Sequence, residues 1–133
     1  MATVEYLNYG VLQRKGWHRD DDGLFERAAA ADLDDHEYGR IEVPKNQALL
    51  DSAEEEGKRW PFECRAGSCA NCAGYVFDGD LEMDMNLFLT DEEVEEMDLR
   101  LTCVAKPKSD ELRVIYDARR SEYLQKVVGE REV

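Results

Sequence analysis

Cys64-Arg65-Ala66-Gly67-Ser68-Cys69-Ala70-Asn71-Cys72 places three thiols within nine residues, and Cys103 follows after thirty more. These are the chain's four cysteines, with none left over. A loop that offers three sulfurs over so short a span has to fold around their common target rather than run past it. Small residues allow this: Ala66, Gly67, Ser68 and Ala70 keep side chains out of the way, and Gly67 gives access to positive φ. Backbone N–H groups bared in such a loop would point at the sulfurs and stabilise negative charge there. The fourth thiol comes from a distant segment and would pin the loop to the rest of the fold.

The N-terminal Met1-Ala2-Thr3-Val4-Glu5-Tyr6 lacks the basic-then-apolar layout of a secretory signal. The expected compartment is therefore the reducing cytoplasm, where clustered cysteines read as metal ligands rather than disulfides. Structural zinc usually takes two short-spaced pairs, a poor match to three ligands in one loop and one alone. A redox dithiol on Cys69-Ala70-Asn71-Cys72 would leave two cysteines idle. His18 and His36 stand in no ligand spacing with a cysteine, which disfavours a Rieske-type centre and suggests two solvent-facing side chains. The spacing fits one 2Fe–2S cluster held by Cys64, Cys69, Cys72 and Cys103, with zinc and thiol chemistry as the competing uses.

With 133 residues the chain is the size of one domain with a single modest core, and no apolar run is long enough to span a bilayer. Thirty-one acidic residues face seventeen basic ones, a formal net charge of −14. Nucleic acid and anionic lipid are poor partners for such a surface. Two explanations fit the acidity and are compatible: adaptation to high salt, and a docking face for a basic partner.

Along the chain, Thr3–Tyr9 alternates as a half-buried strand, and Gly39–Val43 is a second strand stopped by Pro44. Residues 10–38 between them carry Asp20-Asp21-Asp22 and a second acidic run, with Leu24, Ala28 and Ala31 on one face of a short helix; a mobile acidic loop is the alternative. Asn46 to Gly57 reads as a helix capped by Asn46, with Leu49, Leu50 and Ala53 inward. Trp60 should pack beneath the cysteine loop. Ala73–Phe77 is a strand that turns at Asp78-Gly79-Asp80, and Thr90 with Glu93 forms a capping box for a helix through Met97. Leu99–Ala105 and Glu111–Tyr116 supply two more strands. Tyr123, Leu124, Val127 and Val128 recur at helical spacing in the tail. Four or five short strands with one main helix make a single α+β domain.

The chain resembles the plant-type 2Fe–2S ferredoxins, and among them those of halophilic archaea. The resemblance rests on Ile41-Glu42-Val43-Pro44, on Ala53-Glu54-Glu55 with Gly57, on Pro61-Phe62-Glu63 leading into the cysteine motif, and on Leu101-Thr102-Cys103-Val104-Ala105. It implies one domain over residues 1–133 with a β-grasp fold. The archaeal subgroup adds an acidic helical insertion after the first strand, here 10–38, and a C-terminal helical extension, here 117–133. It also implies that Cys64 and Cys69 hold the outer iron, that Cys72 and Cys103 hold the inner one, and that Phe88 lies beside the cluster. The implied function is that of a cytoplasmic electron-transfer protein, acting as a monomeric one-electron carrier and not an enzyme. A 2-oxoacid oxidoreductase or a ferredoxin reductase is the implied partner. A subunit held permanently in an oxidoreductase complex is the alternative.

From Asp78 to Leu99 there are ten acids and no base: Asp78, Asp80, Glu82, Asp84, Asp91, Glu92, Glu93, Glu95, Glu96 and Asp98. Their place just ahead of Cys103 points to a face that steers a basic oxidoreductase toward the metal. A merely solvated acidic surface is the plainer reading. Met83, Met85 and Met97 could form a soft apolar patch beside that face, or fill the core.

Overall fold

The computed structural model describes residues 1–60, 72–83 and 85–131. Strand β1 (Ala2–Asn8) is hydrogen-bonded on both edges, antiparallel to β2 (Tyr38–Val43) and parallel to β7 (Glu111–Tyr116). β3 (Ala73–Asp78) continues the sheet on the far side of β7, and β5 (Leu99–Leu101) closes it, giving the order β2-β1-β7-β3-β5. A small second sheet pairs β4 (Leu81–Met83) with β6 (Ala105–Pro107). A mixed sheet with a parallel central pair, joined by helical crossovers, is the β-grasp arrangement within the α+β class.

The half-buried strand read at Thr3–Tyr9 ends at Asn8, with Tyr9 opening a helix, and is buried on both faces. Val4 and Tyr6 lie in the core, and Glu5 at 7% exposure is closed off as well. Glu5 and Leu7 share the face roofed by helix α2 (Leu24–Ala30). There Arg113 of β7 bonds Glu5 at 3.1 Å and reaches Glu26 of α2 at 3.4 Å, while Phe25 packs on Phe77 of β3. The Tyr38 hydroxyl donates to the second Glu5 oxygen. A buried carboxylate with two donors is satisfied rather than stranded.

Residues 9–37 hold two helices where sequence showed one. Helix α1 (Tyr9–Lys15) begins at Asn8, whose side chain accepts the Gly10 N–H at 2.6 Å, and stops at Gly16 in the left-handed conformation. In α2 the buried residues are Leu24, Phe25 and Ala28, and Ala31 is partly exposed at the C-cap. The second acidic run is tied to the core: the Tyr6 hydroxyl donates to the Asp35 carbonyl at 2.5 Å and the Tyr116 hydroxyl to that of His36. His18 and His36 are both exposed.

Helix α3 (Leu49–Glu55) starts later than the Asn46 cap predicts, with extended Ala48 at its N-cap. Pro44 is the cause: its carbonyl accepts the Gln47 N–H at 3.0 Å, so residues 44–47 close a turn that uses Asn46 up. Leu49, Leu50 and Ala53 are buried as read. Gly57 (φ 79) follows the helix, and Lys58 N–H returns to the Ala53 carbonyl at 2.9 Å.

Three further readings change. Leu99–Ala105 is not one strand: β5 ends at Leu101, and β6 begins at Ala105 in the other sheet. Helix α4 (Asp91–Glu95) has the capping box, with both bonds between Thr90 and Glu93, but ends before Met97. The described residues contain seven strands and five α-helices.

The tail packs as read. Helix α5 (Glu122–Arg131) follows a 3-10 turn, Ala118–Arg120, and buries Leu124 and Val127. Ser121 is its cap, accepting from Leu124 N–H, while the Tyr75 hydroxyl donates to the same oxygen. The Tyr123 hydroxyl donates to Glu93, joining α5 to α4.

Candidate metal centre

Two of the four predicted ligands, Cys72 and Cys103, fall within the described residues, and their segments meet. Cys72 stands one residue ahead of β3, and Cys103 lies in the turn between β5 and β6. Pairing of β3 with β5 sets Ala73 opposite Leu101, so the chain leaving β5 crosses directly over Cys72. Thr102 fastens the crossing. Its main-chain N–H reaches the Cys72 carbonyl at 3.0 Å and its hydroxyl donates to the same oxygen at 2.8 Å. The Thr102 carbonyl in turn accepts the Leu50 N–H of α3 at 3.0 Å. Val104 N–H closes the turn on the Leu101 carbonyl at 3.1 Å.

This scaffold brings the Cys72 and Cys103 sulfurs to 3.3 Å, with both residues buried. A covalent disulfide would hold them at about 2.05 Å. Two thiolates on one tetrahedral metal with bonds of about 2.3 Å would stand roughly 3.8 Å apart. A convergent, dehydrated pair of soft sulfur donors is therefore a fitting half-site for an iron–sulfur cluster or zinc. Cys64 and Cys69, with the remainder of 61–71, lie outside the described residues.

Trp60 is the last described residue before that stretch and is seated in the core at 2% exposure. Its ring stacks on Tyr116 (4.6 Å between centroids, 10° between planes) and meets Tyr6 edge-on at 5.7 Å. Among the described residues its indole N–H has no hydrogen-bond partner. Phe88, which the resemblance places beside the cluster, is 8% exposed within the same core as both cysteines. Met83 accepts the Leu101 N–H on its sulfur at 3.3 Å, while Met85 is half exposed.

Arg100 was not singled out by sequence, and it organises the approach to Cys103. Its side chain is 11% exposed and donates to the carbonyls of Leu81 (2.9 Å), Val94 (2.6 Å) and Leu99 (2.9 Å), with Asp80 at 3.3 Å. One guanidinium thus ties β4, α4 and β5 together. The signal was a lone base closing a long acidic run. Of that run, Asp78, Asp80, Glu82, Asp91, Glu92, Glu95, Glu96 and Asp98 are exposed. Glu93 is not, since it is 2% exposed and absorbed by the capping box and Tyr123. Asp84 lies outside the described residues.

Comparison with known proteins identifies the family. Residues 33–108 match the model of the 2Fe–2S iron–sulfur cluster binding domain. The chain belongs to that family. It is 50% identical over 125 residues to ferredoxin-1 of Haloarcula marismortui, covering 94% of this chain and 97% of the relative. It is 42% identical over 114 residues to ferredoxin-2 of the same organism, covering 86% and 82%. Among solved structures, the complex of Pseudomonas putida CBB5 NdmA with the ferredoxin domain of NdmD matches at a TM-score of 0.51. That match is 19% identical and covers 85% of this chain and 98% of the other, a likeness of fold. Family membership decides between zinc and iron. This ferredoxin carries electrons on one 2Fe–2S cluster and is not an enzyme. Among the described residues no helix is long and apolar enough to cross a membrane.

Proposed function

We propose that Cys64, Cys69, Cys72 and Cys103 are the four ligands of the cluster, and that the chain works as a monomeric cytoplasmic carrier between oxidoreductases. The observation that carries the assignment of Cys72 and Cys103 is the 3.3 Å approach of their sulfurs across the Thr102 clamp, while Cys64 and Cys69 are supported by the cysteine spacing. A bound 2Fe–2S cluster supplies a one-electron couple, at about −400 mV in plant-type members. The chain's part is to hold two thiolates away from water, fix their separation through Thr102, and present the site beside a charged face.

In this reading residues 1–133 form one domain, with 10–38 as an acidic insertion and 117–133 as a helical extension. The exposed acids between Asp78 and Asp98 steer a basic partner, a 2-oxoacid oxidoreductase or a ferredoxin reductase, which raises on-rate more than affinity. Support comes from their exposure and from the absence of a base in that run.

The test is iron and acid-labile sulfide content, with the visible and EPR spectra before and after dithionite, for each cysteine-to-serine variant. The wild type should hold two irons and two sulfides, and each variant should lose or shift the signal. A variant at any of the four positions with unaltered content and spectrum would remove that residue from the ligand set.

A further inference from the structure

Apart from Met1, the most exposed large apolar side chains among the described residues are Leu87, at 73%, and Met85, at 50%. A single exposed leucine needs no explanation. Here two stand in one loop whose backbone is held so as to turn them outward. The Asn86 side chain accepts the N–H groups of Phe88 (3.2 Å) and Leu89 (2.8 Å) and donates to the Leu89 carbonyl at 2.9 Å. Phe88 and Leu89 are thereby drawn into the core, at 8% and 7% exposure, while Met85 and Leu87 on either side of Asn86 are left in solvent.

The loop's position gives the exposed pair a purpose. It leaves β4 just beyond Met83, which pairs with Ala105 and accepts the Leu101 N–H on its sulfur. Met83 thus touches both ends of the turn that carries Cys103. Exposed acids flank the loop, Glu82 before it and Asp91 and Glu92 after it. An apolar crest inside an acidic rim complements an apolar recess inside a basic rim. Charge alone serves poorly in salt, because the Debye length falls to about 3 Å at 1 M. Apolar contact does not fade in that way.

We propose that Met85 and Leu87 form the apolar contact of the electron-transfer interface, seated in an apolar recess ringed by lysine and arginine on a partner oxidoreductase. The proposal rests on the acidic docking reading above. The two make opposite predictions about salt.

The experiment follows electron transfer from the dithionite-reduced, cluster-loaded protein to a flavoprotein ferredoxin reductase by stopped flow, in 0.1 M and 2 M KCl. Met85→Ser with Leu87→Ser should lower the second-order rate about tenfold at 2 M and less at 0.1 M. Glu95→Lys with Glu96→Lys should slow the reaction at 0.1 M and leave it nearly unchanged at 2 M. Met85→Leu with Leu87→Met, which keeps the apolar area, should retain the rate. An unaltered midpoint potential and visible spectrum in all three variants assigns the effects to docking. Wild-type rates for the double serine variant at 2 M overturn the apolar contact. Wild-type rates for the double lysine variant at 0.1 M overturn the acidic face instead.

Discussion

Thr102 holds the carbonyl of Cys72 twice, through its main-chain N–H and through its hydroxyl. Thr102 is 1% exposed, so neither bond competes with water. Thr102→Val keeps the shape and removes only the second bond. A loss of about 1 kcal/mol is expected in urea unfolding, with faster bleaching of the cluster absorbance. Unchanged bleaching would show that the clamp does not govern cluster retention.

Arg100 is a second hub. Arg100→Met leaves the carbonyls of Leu81 and Val94 short of a donor inside the structure. The expected loss is about 2–3 kcal/mol in thermal or urea unfolding. Arg100→Lys should recover less than half, since one ammonium cannot span the same set of carbonyls. By contrast, Arg14→Met breaks only an exposed pair with Glu37 and should leave the unfolding midpoint in place.

Glu93 serves α4 and α5 at once. Glu93→Ala removes one arm of the capping box and the acceptor for Tyr123, for an expected loss of about 1–2 kcal/mol. Amide exchange across 122–131 should accelerate in that variant. Protection unchanged from wild type would mean that Leu124 and Val127 alone hold the tail.

Burial pushes the Tyr116 hydroxyl up to about 12 from an ordinary value of 10.0. The folded state favours the neutral phenol, so its contribution is complete below about pH 10 and disappears as pH rises through about 12. Roughly 2–3 kcal/mol should be lost across that window from this group. Tyr116→Phe should flatten the alkaline limb of stability against pH. An equally steep limb in the variant would assign the alkaline loss to other groups, Tyr38 first, which burial also raises to about 12.

Local signals in the sequence were reliable where one segment carried them whole. The capping box at Thr90 and Glu93, the left-handed Gly57 and the β7 strand are each dictated by their own residues. Helix α1 had its own signal in Asn8 and Gly16, hidden by the acidic run that begins at Asp20. The division of Leu99–Ala105 could not be read locally, because it depends on Thr102 bonding to Cys72, thirty residues away. Asn46 failed as a cap because the Pro44 turn claimed that residue first. At the centre, the cofactor was legible from the cysteine spacing, and the family match bears out the 2Fe–2S cluster. The supports, Thr102 and Arg100, were not, since their partners are backbone carbonyls that leave no trace in residue type.

The parallel pairing of β1 with β7 has a consequence for biogenesis. Glu5 and Arg113, which bond across that pair, are 108 residues apart in the chain. During synthesis β1 emerges first but cannot complete its edge until residues near Tyr116 have left the ribosome. All four cysteines precede that point in the chain. The nascent polypeptide therefore exposes every thiol before its central sheet can close, and closure of the high-contact-order sheet is the late step. Iron and sulfide delivered early would meet an open chain, and delivered late they would meet a buried pair.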